Sequence, residues 1–510
     1  MGKTVVAFLA AVAALPLLAE IRLGAPFADG AVLQRGMKVP VWGRIVPGAG
    51  EAHASGVRKV RVEFAGQKKT AYVGKDGEWK LELDPMAASK ESRAMVVSSG
   101  IETTEINDIL VGEVWFAAGQ SNMECPIWSG NTRYRDAKGG LMTTMTFLPN
   151  VRYVWRRHKW SVAPEEGAAK WCKCTPEHLQ IFHRANGEGV ALSAVAFYYA
   201  RELYLALDIP IGIVDATWGG TNIDAWTPRS GYDGCDESIR AAAEYRVKAD
   251  WNAATDRKCP VFGANQQPTV IYNGMVAPFA PMAMRGFIWY QGCYNEGEWK
   301  LYCAKLHALY NGWKREFANP DLKMYLVQLA PFSQNWLGIC MAQTKFCGEV
   351  QNAALAVTAD VGNFDDIHPN EKEIVSKRLA VHALRRDYGF PIPEDDSPVV
   401  KSVSFRDGKA TLAFDNVKCW YVYAPDHSRE PAFELAGADG KWHQARIDNY
   451  RKGKGPDGKD ADTDFIDGAE IVLSCESVPD PVKVRYMGRP RTAGTLYNEA
   501  SLPLGPFEAQ

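Results

Sequence analysis

The sequence predicts an α/β fold: a parallel sheet with helices on both faces, flanked by β-rich domains at its N- and C-terminal ends. Three observations carry this. Residues 20 to about 108 read as short strands of alternating polarity with turns between them. Residues 109–390 alternate near-continuous apolar strand runs with amphipathic helical stretches. From 391 to 510 the period-two texture returns. A chain of 510 residues exceeds what one hydrophobic core supports, which agrees with several domains.

The elements follow in order. Residues 1–19, MGKTVVAFLAAVAALPLLA, have the layout of an export signal: Lys3, an apolar stretch, Pro16, and small Ala19 before charged Glu20. The stretch is short for a membrane span, and no other uninterrupted apolar run of about 18 residues is present. The expectation is an exported protein, periplasmic or extracellular, with no membrane span. In the first β-rich segment Val60, Val62 and Phe64 alternate with Arg61 and Glu63, the period of a sheet with one wet face. KDGEW supplies a turn between two such runs, and a β-sandwich is expected.

The middle segment contains five strand-like runs: GEVWFAAG, IPIGIVDAT, RGFIWYQG, KMYLVQLAPF and AALAVTADV. Between them, Trp299, Cys303, Leu306, Tyr310, Trp313 and Phe317 recur every three to four residues, an amphipathic helix. SAVAFYYARELYLALD has a broader apolar face, suited to a helix pressed on a sheet. The last segment returns to strands in KSVSFRDGKATLAF, AEIVLSC and VKVRYMG, with a polar loop around NYRKGKGPDGKDADTDF.

Composition removes some function classes. With 58 basic and 60 acidic residues the net charge is −2, and no basic run stands out, so a nucleic-acid partner is not expected. Eleven cysteines leave at least one thiol unpaired within the chain. Cys419 and Cys475, both in predicted strands, are one candidate disulfide. WCKC at 171–174 lacks the spacing of a zinc site, so neither a metal nor another cofactor is assigned.

Chemistry in open α/β sheets gathers outside the carboxyl ends of the strands. Four such ends carry reactive or donor groups: Gly119-Gln120-Ser121-Asn122, then WGGTNIDAW with Gly219 and Gly220, then WYQGCYNEGE with Gln291 and Asn295, then DVGNFDDIHPNEK with Asp365, Asp366 and His368. Acyl transfer needs these parts. Ser121 is a nucleophile once a base takes its proton, and His368 is a base. Asp365 or Asp366 can orient the imidazole, a backbone acceptor being a third option. Pro369 bars His368 from helical backbone and suits the first position of a following helix, whose face continues through Val375, Leu379 and Ala383. The backbone N–H of Ser121, an N–H at Gly219 or Gly220, and the Asn295 amide would form an oxyanion hole. Each residue alone has an ordinary reading as a turn, a helix cap or a solvated acid; their coincidence on four strand ends, in the order Ser, Asp, His, is what points to chemistry. No G-x-S-x-G is present, so the nucleophile elbow of α/β-hydrolases is not the template.

These blocks resemble the sialate O-acetylesterase family of carbohydrate esterases, within the SGNH hydrolase superfamily. FAAGQSNME, IGIVDATWGGTNIDAW, WYQGCYN and DIHPNEKEIVSKRLA carry the resemblance, with ADGAVLQRGMKVPVWGRIVPG and VKVRYMGRPRTAGTLYNEASLPLGPF extending it towards both termini. It implies a flavodoxin-like parallel sheet, Ser121 as nucleophile, His368 as base, and Gly219 or Gly220 with Asn295 as oxyanion donors. The family's third block reads Q-G-E-S-N where Cys293 and Tyr294 stand here, a difference in the loop wall rather than in the amide. Gln120 and Gln291 either contact a sugar hydroxyl or brace the site. Trp218, Trp226 and Tyr294 are read equally as sugar-stacking rings or as core. The implied reaction is cofactor-free removal of O-acetyl groups from carbohydrate, an acetylated sialic acid first. Acetylxylan or another polysaccharide is the alternative substrate, and a non-catalytic glycan-binding protein the alternative class. The expected divisions are 1–19, 20–108, 109–390 and 391–510.

Overall fold

The computed structural model describes residues 20–46, 58–100, 102–127, 147–175, 192–235, 237, 239, 263–423, 432–451, 453 and 464–510. The expected export signal at 1–19 lies outside them, as does most of the polar loop that follows Tyr450.

The N-terminal strands β1 (Glu20–Leu23), β2 (Val32–Gln34), β3 (Val39–Val46), β4 (Lys59–Phe64), β5 (Gln67–Tyr72), β6 (Glu78–Leu83) and β7 (Ser89–Ser98) form two layers. One is the antiparallel sheet β1-β3-β6; in the other β4 pairs with β5 and β7. Val60, Val62 and Phe64 are buried while Arg61 is exposed, the alternation expected of a sheet with one wet face. The 17-residue strand β8 (Thr103–Gly119) then joins the two regions without a linker. Its first half pairs with β7 and its second half is the centre of the α/β sheet. At this junction the fully buried Glu113 carboxylate accepts Arg35 Nε at 2.6 Å, Gln34 Nε2 at 2.9 Å and Arg285 Nε at 3.1 Å. Burial pushes its pKa up, but the two guanidinium groups outweigh that and hold it below the usual carboxylate range.

The α/β sheet adds β9 (Leu148–Trp155), β10 (Trp171–Cys174), β11 (Ile211–Thr217), β12 (Gly286–Tyr290), β13 (Lys323–Val327) and β14 (Ala353–Ala356). The five runs marked in the sequence are adjacent in the order β11-β8-β12-β13-β14, all parallel. Numbered in chain order this is 2-1-3-4-5, the flavodoxin-like arrangement. β9 and β10 extend the edge beyond β11, β10 running antiparallel. Sequence reading missed both: β9 carries Pro149 and Arg152, and β10 is the WCKC stretch weighed only as a ligand motif.

The α-helices among the described residues are α1 (Ser121–Glu124), α2 (Ala194–Leu207), α3 (Trp299–Glu316), α4 (Leu337–Glu349) and α5 (Lys372–Arg386). Ser193 caps α2 by accepting the Ala196 N–H at 3.1 Å, and Asp208 ends it in left-handed backbone. Val375, Leu379 and Ala383 are buried on one face of α5, as their spacing predicts. One expectation is corrected. α5 starts at Lys372, so Pro369 is not its first residue, and His368 sits in a turn ahead of the helix.

Among the described residues, the C-terminal strands include the hairpin β15 (Val399–Arg406) and β16 (Lys409–Asp415), then β17 (Cys419–Val422) and eight further strands, all in three antiparallel sheets. The expected Cys419–Cys475 disulfide is absent and both thiols are free. Cys419 opens a strand of the sheet containing Asp464–Asp467, whereas Cys475 follows Glu470–Ser474, which pairs with β16 in a different sheet.

Candidate active site

The abrupt end of β8 has a steric cause. Gly119 has φ +140°, and a Cβ there would lie 2.3 Å from the Tyr290 carbonyl of β12. Only glycine lets the two parallel strand ends approach so closely. The chain then turns into α1 with Ser121 as its first residue.

Neighbouring segments converge on this turn. The Gln120 N–H donates to Tyr290 O at 3.0 Å, and the Trp218 N–H after β11 donates to Gly119 O at 3.0 Å. A Cβ on Gly219 would stand 3.3 Å from Ser121 Cβ. The fourth segment is tied in through Asn122, whose Nδ2 donates to Ile367 O at 2.9 Å. Its Oδ1 accepts Lys372 Nζ from the start of α5. All four strand-end blocks are thus hydrogen-bonded around one serine.

His368 is half-buried beside Asp366. Asp366 Oδ1 accepts the His368 backbone N–H at 2.8 Å and lies 3.5 Å from His368 Nδ1, so one carboxylate holds both the turn and the ring edge. Asp365 points elsewhere and pairs with Arg491 of the C-terminal region at 2.9 Å. Of the two acids weighed from the sequence, Asp366 is the one against the imidazole. Burial lowers the His368 pKa first, the Lys372 charge lowers it further, and Asp366 opposes both; the net direction is down. Burial also brings Lys372 from 10.5 down to about 8.

Of the expected oxyanion donors Gly219 lies against Ser121, and both Gly219 and Asn295 have internal partners. Gly219 N–H donates to Glu124 Oε2 at 2.5 Å. Asn295 is fully buried; its Nδ2 donates to Glu298 Oε2 at 2.9 Å, and its Oδ1 accepts Ile223 N–H and Gln291 Nε2. Gly220 has φ +67° and open space where a Cβ would stand. Gln120 and Gln291 brace: Gln120 Oε1 accepts Gly292 N–H at 3.2 Å, and Gln291 spans Thr221 O and the Tyr302 hydroxyl. Trp226 is fully buried core. Tyr294 is 46% exposed, which leaves its ring available to a ligand. One face of Trp218 is covered by His158, stacked at 4.5 Å with the rings 2° from parallel.

Three site residues escaped the sequence reading. Glu124 bonds both Gly219 and His158 Nε2, the latter at 2.6 Å. Its signal was present, three residues after Ser121 on the first helical turn. Lys372 stood inside the quoted DIHPNEK block, four after His368. His158 follows β9, a strand the periodicity did not reveal, and no motif marks it.

A hydroxyl, an imidazole and a carboxylate brought to the carboxyl ends of parallel strands is the layout of an α/β ester hydrolase, and comparison narrows the class to carbohydrate esterases. The structure is similar to a carbohydrate acetylesterase from Xanthomonas citri, 29% identical with a TM-score of 0.76, over 96% of this chain and 100% of that one. The sialate O-acetylesterase of Rattus norvegicus is 26% identical over 68% of this chain and 71% of its own length. That of Homo sapiens is 26% identical over 73% of this chain and 72% of its own. Residues 262–384 match the family model "Carbohydrate esterase, sialic acid-specific acetylesterase". The chain is thus similar to that family of carbohydrate esterases, the family match lying over residues 262–384.

Proposed function

We propose that the protein is an exported serine esterase that removes O-acetyl groups from carbohydrate, with O-acetylated sialic acid as first substrate. Ser121 Oγ attacks the acetyl carbonyl while His368 takes its proton. The tetrahedral intermediate collapses with protonation of the sugar oxygen by His368, leaving acetyl on Ser121. Water, deprotonated by the same imidazole, then releases acetate and restores the serine. The observation that supports this best is the Asn122 bridge, which couples the Ser121 turn to the His368 loop through Ile367 O. The Ser121 N–H and the Gly220 N–H are the backbone donors offered to the oxyanion. Gly219 joins them once its bond to Glu124 opens.

Acetate release from O-acetylated sialic acid and from acetylated xylo-oligosaccharides, by wild type and Ser121→Ala, tests the reading. The expected result is release from the sialic acid, abolished in a folded Ser121→Ala. Release only from the xylo-oligosaccharides would remove the sialate assignment, and equal hydrolysis by both forms would remove the mechanism.

A further inference from the structure

Away from the strand ends, α3 and α4 pack side by side and bring three different donor groups to one point. Cys303 and His307 lie four residues apart on α3, hence on the same face. Glu349, the last residue of α4, reaches across to both. Glu349 Oε2 is 3.7 Å from Cys303 Sγ and 2.8 Å from His307 Nε2. The three donor atoms lie within 4.8 Å of one another.

That spacing is close to what a tetrahedral ion needs. With metal–sulfur bonds of about 2.3 Å and metal–nitrogen or metal–oxygen bonds of about 2.0 Å, donors on one ion lie roughly 3.3–3.5 Å apart. The imidazole and carboxylate would separate by about half an ångström to admit the ion, within the reach of a glutamate at a helix end. The ring is already oriented: His307 sits edge-on against Phe346 at 4.9 Å and 71°. Lys345 Nζ stands 3.8 Å from the other carboxylate oxygen, Oε1, leaving Oε2 to face sulfur and nitrogen. All three residues are partly accessible, so an ion can enter from solvent and keep a water as fourth ligand.

We infer that Cys303, His307 and Glu349 form a structural binding site for a borderline transition-metal ion, zinc by preference, that clamps α3 to α4. One thiolate, one imidazole and one carboxylate suit zinc and not calcium or magnesium, which take oxygen donors. Binding replaces the Cys303 S–H bond with a sulfur–metal bond and releases that proton to solvent. The clamp is remote in role from ester chemistry but not from its scaffold. α3 leaves directly from the loop carrying Asn295, and α4 carries Gln343, whose Nε2 donates to Gln291 O. An ion here stiffens the pair of helices behind the third strand-end block.

Cobalt(II) is the probe, because a cobalt–thiolate bond gives a charge-transfer band in the near ultraviolet. Full-length protein is stripped with chelator and titrated with Co²⁺, then with Zn²⁺, alongside Cys303→Ser and His307→Ala. Expected are a thiolate–cobalt band in wild type that zinc displaces, its loss in Cys303→Ser, and at least about tenfold weaker binding in His307→Ala. Zinc should raise the wild-type melting temperature and leave that of Cys303→Ser unchanged. Esterase turnover of the metal-free variants should equal that of metal-free wild type, which shows that they are folded. A wild type without the band, or a band that persists unchanged in Cys303→Ser, overturns the site.

Discussion

Replacing Lys372 by methionine separates what this buried ammonium does for activity from what it does for stability. Lys372 is 1% exposed, donates to Asn122 Oδ1 and lies over the Tyr290 ring at 5.3 Å. Its pKa falls from 10.5 to about 8, which amounts to a penalty of about 3 kcal/mol on the charged form. A lysine whose folded-state pKa lies below its unfolded one penalises folding fully below about pH 8, and the penalty fades as pH rises towards 10.5. Methionine removes that penalty, but it leaves Asn122 Oδ1 without its donor at a cost of about 1–3 kcal/mol. The two nearly cancel, so at neutral pH the variant should unfold within about 2 kcal/mol of wild type. Activity should not be spared. Asn122 joins the Ser121 turn to the His368 loop, and loosening such an alignment typically costs about 10²-fold in turnover. The positive charge that depresses the His368 pKa is also gone, so the acidic limb of kcat/KM should move to higher pH. Chemical denaturation and a pH profile with p-nitrophenyl acetate measure both. A folded variant with wild-type kcat/KM and an unshifted acidic limb would refute the role given to Lys372.

Further outcomes follow from the same structure. In the wild type, neutral imidazole is the base and its pKa is lowered, so kcat/KM should hold to more acidic pH than an ordinary histidine near 6.5 allows; a limb above that value counts against His368. Ser121→Ala should lose on the order of 10⁶ in kcat while keeping the wild-type circular dichroism spectrum. Asp366→Asn should cost roughly 10²-fold in kcat and Asp365→Asn little, since only Asp366 faces the ring and Asp365 pairs with Arg491; equal losses would break this assignment. Glu113→Ala leaves Arg35 and Arg285 without their shared carboxylate at the junction along β8, and should destabilise by about 3–5 kcal/mol in urea melts. Because the Glu113 pKa is depressed, its contribution is present above the unfolded-state value and is lost as pH falls through the folded one, so the difference between the two proteins should shrink in acid.

Sequence periodicity was enough to find the five parallel strands and the helices α2, α3 and α5, but not the pairing around KDGEW, whose flanking strands β5 and β6 lie in different sheets, against β4 and β3. Apolar runs and helical spacing report burial directly, and burial is what a residue-by-residue reading measures. It failed where burial and pattern part company. β9 is interrupted by charge, and WCKC in β10 is too short to show a period. The Cys419–Cys475 pairing looked available because strand membership can be read from sequence, whereas sheet membership depends on which distant strand comes alongside.

The site divides in the same way. The chain alone determined which residue types stand at the strand ends: a serine after glycine, paired glycines, an amide, and a histidine with acids before it. These are local facts, because each block follows directly from the strand that carries it. Tertiary structure decided the partnerships: Asp366 rather than Asp365 against His368, Glu124 on the Gly219 N–H, and Lys372 with Asn122 linking two blocks 250 positions apart. Hydrogen bonds act over about 3 Å, and only the packing of strands, turns and helices brings groups so distant in the chain within that range.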